Sequence, residues 1–246
     1  MKRIAIFAEG QTELIFIRHF LLKLLDPSKL SLECYELVSH QLFTVPYQYP
    51  NPSAEIHFLI LNVHGDEGVL SSIKEREKKM IEESGYDRII GLRDMYCYEY
   101  VKRSPGVINN EISNLIIHRQ NQTVGDMKHS DRIKLFFAIM EIEAWFLGMY
   151  NLFKKINSVL TVQHIEQKLG IDLTTTDPQK QFYRPTDQVN DIFLLCEGEY
   201  KKKQGEIESI CSNMDCSDFD TARENNRCSC FDDFFQEIIG YSSFCL

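Results

Sequence analysis

The sequence predicts an α/β fold, a largely parallel sheet flanked by helices with a helical C-terminal appendage. Short apolar runs at Ile4 to Ala8, Ile56 to Val63, Arg88 to Leu92 and Arg132 to Ala138, and the alternating apolar and polar residues of Leu32 to Val38, have the length of strands. Stretches of helical period separate most of them, giving the order strand, helix, strand, strand, helix, strand, helix, strand, helix. After about residue 157 the pattern changes to short helices and loops. The expected division is therefore a core over residues 1–157 and a helical appendage over 158–246.

The first element sets the frame. Ile4, Ala5, Ile6, Phe7 and Ala8 suit a strand buried on both faces, and Glu9 ends it. Gly10 and Gln11 supply a turn, Thr12 is placed to cap a helix, and Glu13 sits in its first turn, where the helix dipole favours an acid. From Leu14 to Leu25 the run is apolar almost all round, as for a helix sandwiched in a core. Gln41 to Ser53, with Pro46, Pro50 and Pro52, reads as a loop. Ile56 to Val63 reads as a central strand ending in the turn His64-Gly65-Asp66-Glu67-Gly68, and a helix with one charged side follows from about Val69 to Glu83. Val107 to Gln120 fits a helix, and Trp145, Met149, Leu152, Phe153 and Ile156 recur at helical spacing. In the last third, Val162 to Leu169 is helical and stopped by Gly170, Pro185 to Cys196 is helical, and Phe231 to Ile239 forms a terminal helix.

Composition narrows the class. No apolar run reaches the length of a membrane span, and the chain begins a strand at once without a leader pattern, so a soluble, cytoplasmic protein is expected. Eight cysteines in that setting read as free thiols. Cys211, Cys216, Cys228 and Cys230 have spacings that match no common zinc ribbon. A net charge of -9 argues against autonomous nucleic-acid binding, because affinity for phosphates rests on Lys and Arg. The run Lys201-Lys202-Lys203 reads as a solvated helix or loop end, and His19 as a core histidine, with His64 and His129 nearer strand ends or loops.

Acids stand at the ends of three predicted strands: Glu9, then Asp94, then Glu141 and Glu143. Parallel strands bring their carboxyl ends to one edge, where open α/β folds place their chemistry. Clustered carboxylates repel and stay ionised only with a cation among them, and hard oxygen donors suit Mg²⁺ or Mn²⁺. Metal-assisted phosphoryl transfer is the chemistry that follows. If the strand runs through Glu141 and Glu143 they share a face, whereas if a helix starts between them only one points inward.

Glu9-Gly10-Gln11-Thr12-Glu13 after an apolar strand resembles the E-G-x-T-E signature of TOPRIM-fold proteins, above all a bacterial family of unknown function that pairs it with a later E-x-E-A-W, here Glu141-Ile142-Glu143-Ala144-Trp145. The resemblance extends from residue 3 to about 150 and points to the nuclease domains of overcoming-lysogenisation-defect proteins. It implies a catalytic set of Glu9, Asp94 and Glu143, with Glu9, Asp94, Glu141 and Glu143 ligating Mg²⁺ or Mn²⁺. The second acid of the TOPRIM D-x-D is Tyr96 here. The function so implied is a metal-dependent nuclease that cleaves DNA or RNA in anti-phage defence with an ATPase partner, as a monomer or an oligomer. The alternative is a non-catalytic TOPRIM-fold scaffold. The chain has no G-x-x-x-x-G-K-[ST] of its own.

Overall fold

The computed structural model describes residues 1–241. Its elements run β1 (Lys2–Ala8), α1 (Gln11–Leu24), β2 (Leu30–Val38), β3 (Gln41–Thr44), β4 (Ile56–Asn62), α2 (Asp66–Lys78), β5 (Arg88–Asp94), α3 (Tyr98–Arg103), α4 (Asn110–Gly125) and β6 (Ile133–Ala138). Every later helix or strand among the described residues is helical: α5 (Glu143–Gly148), α6 (Asn151–Ile156), α7 (Val162–Leu169), α8 (Pro178–Gln181), α9 (Pro185–Leu194), α10 (Gln204–Ser212), α11 (Cys216–Arg223) and α12 (Ser229–Ile239). No helix among the described residues is long and apolar enough to cross a membrane.

The chain forms an α/β structure on one six-stranded sheet in the order β3-β2-β4-β1-β5-β6. β1 pairs parallel with β4 and β5, and β2 parallel with β4, while β3 turns back antiparallel on β2. β1 is central, and Ile4 through Ala8 are all fully buried, as a strand covered on both faces requires. Two compact units are distinguished. The first includes Met1–Arg93 and Glu111–Phe137, and the second Asp94–Asn110 and Ala138–Tyr241.

In the first unit, α1 packs on β4, β1 and β2 and buries Leu14, Ile15, Phe16, Ile17, Phe20, Leu21 and Leu24. Its N-cap is Gly10 in extended backbone with no side-chain cap, so Thr12 lies inside the helix instead of capping it. The segment from Gln41 contains a strand where a loop was expected: Gln41–Thr44 forms β3, pinned by Val38 opposite Gln41 and Leu37 opposite Leu42. Its side chains are exposed, so the hydrophobic pattern that marks buried strands is missing there. The helix expected from Val69 begins at Asp66 and ends in a π-helical turn, Lys79–Glu83. Gly91 in β5 lies where α2 and β6 close on the sheet. A methyl group there would stand 2.5 Å from Leu135 Cδ2, 2.9 Å from Val69 Cγ1 and 3.1 Å from Ile73 Cδ1.

The second unit buries an aromatic cluster. The Trp145 ring of α5 lies 5.2 Å from Phe231 and 5.8 Å from Phe234 of α12, and Phe219 of α11 lies 6.2 Å from Phe231. Thus the tryptophan of the E-x-E-A-W stretch is a packing residue with no exposure. The helical spacing from Trp145 to Ile156 resolves into two short helices, because Met149 leaves helical geometry at φ -82°, ψ 46°. α7 ends as expected at Gly170, which adopts φ 70°. Arg227, almost fully buried, holds the connecting turns by donating to the carbonyls of Leu173, Thr174 and Thr221 at 2.7–2.8 Å.

The close approach at Gly91 carries a test. Gly91→Ala forces Leu135 and α2 to shift, and overpacking of this kind costs about 1–3 kcal/mol. A fall in the denaturant midpoint at unchanged slope is the expected result. An unchanged midpoint would show that the three neighbours yield freely.

Candidate functional site

The acids after β5 and β6 are held by backbone geometry before any side chain is considered. Beyond β5 the chain stays beside the segment after β6: the Met95 N–H donates to the Ala138 carbonyl at 2.8 Å and the Tyr96 N–H to the Met140 carbonyl at 2.7 Å. Met140 takes φ 64°, a left-handed corner rare for a side chain of this size, and the chain turns there into α5. The amides at the mouth of that helix need acceptors. Asp94 supplies one, its Oδ1 accepting from the Ile142 N–H at 2.9 Å.

Beyond that corner both glutamates are used. Glu143 opens α5 and is fully buried. Its Oε1 accepts from the Tyr200 hydroxyl at 2.7 Å, and its Oε2 lies 3.0 Å from the Lys202 ammonium. Glu141, nearly buried, places Oε1 3.4 Å from the same ammonium and accepts the Thr186 N–H, in the first turn of α9, at 2.9 Å through Oε2. The choice left open by the two-residue spacing is resolved: the helix starts at Glu143, yet both carboxylates reach one cation.

Lys202 arrives from a segment whose neighbours face outward. The Glu206 carboxylate accepts the N–H groups of Lys201 at 2.6 Å and Lys203 at 3.1 Å, and Lys202 between them adopts φ 54°. Lys201 and Lys203 are exposed, whereas the Lys202 side chain keeps 31% exposure. Burial works against its charge, but Glu143, Asp94 and Glu141 together outweigh it and raise the ammonium above its ordinary value. The run expected to be a solvated end thus turns its middle residue inward and leaves it half-buried.

Glu9 belongs to the first unit. Its N–H donates to the Leu92 carbonyl at 3.1 Å, and its own carbonyl accepts the Gly65 N–H at 2.8 Å, which fixes the chain just after β1. Gly65 reaches that position with φ 125°, and His64 before it with φ 55°. His64 Nε2 stands 3.9 Å from Glu36, and His129 Nε2 stands 2.9 Å from Glu82, each a surface pairing within the first unit.

Of the residues singled out from the sequence, Asp94, Glu141 and Glu143 act on one point, the Lys202 ammonium. Sequence reasoning missed Lys202, Tyr200 and Thr186. A lysine in a basic run carries no signal of burial, and Thr186 takes part through its backbone. Among the described residues no group of three or more His, Cys, Asp or Glu side chains is arranged to hold a metal ion. Oxygen donors are the right kind for Mg²⁺, but with Lys202 seated the cation among them is an ammonium, and a metal does not fit beside it. Cys211 and Cys228 are buried thiols whose ionisation burial opposes, and Cys216 and Cys230 are likewise free thiols.

No family model matches the chain, and neither a curated protein nor a solved structure matches it.

Removing one partner of a buried ion pair leaves the other uncompensated, at a cost of about 3–5 kcal/mol. Lys202→Met is therefore expected to destabilise the protein by about 3 kcal/mol in denaturant unfolding. The double variant Lys202→Met, Glu143→Leu should recover much of the loss, and an equal or greater loss in the double variant would remove the pair as its cause. The ammonium's raised value fixes the pH dependence: its contribution is complete below the ordinary lysine value of 10.5 and declines as pH rises through the folded-state value. Unfolding midpoints followed from pH 9 to 12 should keep this contribution up to about 10.5 and fall above it, more steeply in the wild type than in Lys202→Met, where the other lysines still titrate.

Proposed function

We propose that the chain is a TOPRIM-like nuclease, dependent on Mg²⁺ or Mn²⁺, that cleaves DNA or RNA phosphodiesters as the effector of a bacterial anti-phage system with an ATPase partner. The observation that carries this reading is the pairing of Glu141 and Glu143 on one ammonium that also feels the charge of Asp94. Acids following two different strands are held there by backbone amides and by Tyr200. For this reading the Lys202 ammonium has to leave the acids, and a divalent ion held in its place by Asp94, Glu141 and Glu143 would supply Lewis-acid polarisation of a phosphoryl oxygen and an activated water. The chain's own part is to hold oxygen donors rigidly, with Asp94 on the Ile142 amide and Glu141 on the Thr186 amide. In this reading Glu9 is a further catalytic acid, and the stretch between α9 and α10 brings Tyr200 and Lys202 to Glu141 and Glu143. The charge of -9 makes capture of nucleic acid the partner's task.

One observation favours a second reading, a non-catalytic TOPRIM-fold scaffold. Lys202 already neutralises Glu141 and Glu143, so the acids serve as a structural ion network. Long incubations of the pure chain with labelled DNA and RNA, in Mg²⁺, Mn²⁺ or EDTA, separate the two. The nuclease reading expects weak, salt-sensitive binding and slow cleavage that needs the metal. It also expects a drop of about 100-fold or more in Asp94→Asn and Glu9→Gln, each checked for an unchanged melting temperature. Cleavage that persists in both folded variants, or none with any metal, would leave the scaffold.

A further inference from the structure

A cleft of about 410 Å³ opens in the first unit. Strand register explains its floor. Arg3 pairs with His57, Ala5 with Leu59 and Phe7 with Leu61 along β1 and β4, so Arg3, Leu59 and Leu61 share a sheet face. Gly91 pairs with Phe7 on that same face, where it is met by Val69 and Ile73 of α2. The cleft therefore lies on the α2 side of the sheet, over β2 and β4. Its floor is Leu59 and Leu61, 6% and 1% exposed, and Leu42 of β3 forms an outer wall at 49% exposure.

The rim is cationic in a chain that is acidic as a whole. Arg3, His40, Arg76 and Lys79 line the cleft with one carboxylate, Glu33, and a second, Glu75, pairs with both His40 and Arg76 at its edge. The Lys79 side chain makes no ion pair or hydrogen bond among the described residues, while its backbone is held by the Arg76 carbonyl and the Ser84 N–H. Arg76 is bound to its neighbour Glu75 at 2.7 Å. Arg3 lies 4.5 Å over the Tyr86 ring and donates Nη1 to the Ser84 carbonyl, yet its Nε is buried with no acceptor. Leaving such a donor unsatisfied costs free energy that an incoming acceptor recovers. Lys79 and Met80 stand in the π-helical turn after α2, a backbone departure that recurs at functional sites.

We propose that this cleft is a binding site for a small aromatic anion of the nucleoside monophosphate class. The volume is that of a small-molecule site. The leucine floor and wall, with the Tyr35 and Tyr86 rings among the lining, suit a flat apolar ring. The guanidinium of Arg76 and the ammonium of Lys79 suit a phosphate dianion, whose hydrogen bonds to charged donors are the strong kind. None of these residues belongs to the acidic centre, so the site stands apart from the nuclease reading.

Calorimetric titration of the full chain with AMP, GMP, CMP and UMP tests it. At least one should bind with a Kd below about 1 mM. Inorganic phosphate and the matching nucleoside should each bind at least about tenfold more weakly, because each lacks half of the ligand. The double variant Arg76→Gln, Lys79→Gln changes two side chains of the α2 end and should weaken binding about tenfold or more with its melting temperature kept. Glu143→Gln should bind as the wild type. Failure of all four nucleotides to bind overturns the proposal, as does full binding by the double variant. Loss of binding in a folded Glu143→Gln protein would assign the nucleotide to the acidic centre and overturn it equally.

Discussion

A glutamate with no solvent exposure has to be met by charge and hydrogen bonds inside the protein, and Glu143 imposes that requirement on the second unit. The Tyr200 hydroxyl and the Lys202 ammonium meet it, and both come from the stretch between α9 and α10. The consequence is local geometry that would otherwise be costly. Lys202 is turned inward by a left-handed backbone, and the Glu206 carboxylate ties down the amides on either side of it. Left-handed geometry in a non-glycine residue costs of order 1 kcal/mol and persists only where the surroundings over-determine it. Here they do, because the alternative is an uncompensated buried carboxylate.

The same unit gives other buried charges the same treatment. Asp218 has a fully buried side chain and is paired with Lys155 at 2.7 Å, while Asp215 shares that ammonium and is held down to about 2 by it and by Ser217. Burial pushes Asp218 upward, with Lys155 opposing. Neither pair has the set of converging acids that distinguishes the Lys202 centre. At the Lys202 centre one ammonium pairs with two carboxylates, Glu141 and Glu143, and also feels the charge of a third, Asp94. The first unit contributes a rigid frame of another kind, a buried parallel sheet with a close approach at Gly91 and a cationic cleft on the α2 side.

Much of the frame was legible from local pattern. Ile4 to Ala8, Ile56 to Asn62 and Ile133 to Ala138 are strands because continuous apolar runs of that length suit burial on both faces, and turn residues bound them. The stop at Gly170 was legible for the same local reason. β3 was not: its four residues are exposed, and only pairing with β2 makes them a strand. α10 and α11 went unread because Gln204–Ser212 and Cys216–Arg223 are short and mark their starts with acids that also suit turns. The grouping of Asp94–Asn110 with Ala138–Tyr241 leaves no trace in composition.

For the site, the sequence by itself determined the acids. Asp94 ends a strand, Glu141 and Glu143 follow another, and residue type and position were enough to single them out. What only tertiary structure decided was which cation they face. Lys202 stands 59 residues beyond Glu143 in a run of three lysines, two of which do point to water. Its inward turn depends on Glu206 and on the buried charge of Glu143, interactions between residues brought together by folding. Periodicity reports which face of an element is apolar. It carries no information about which of three identical side chains a distant carboxylate will draw in, because that choice is made by Coulomb energy and desolvation in the folded state.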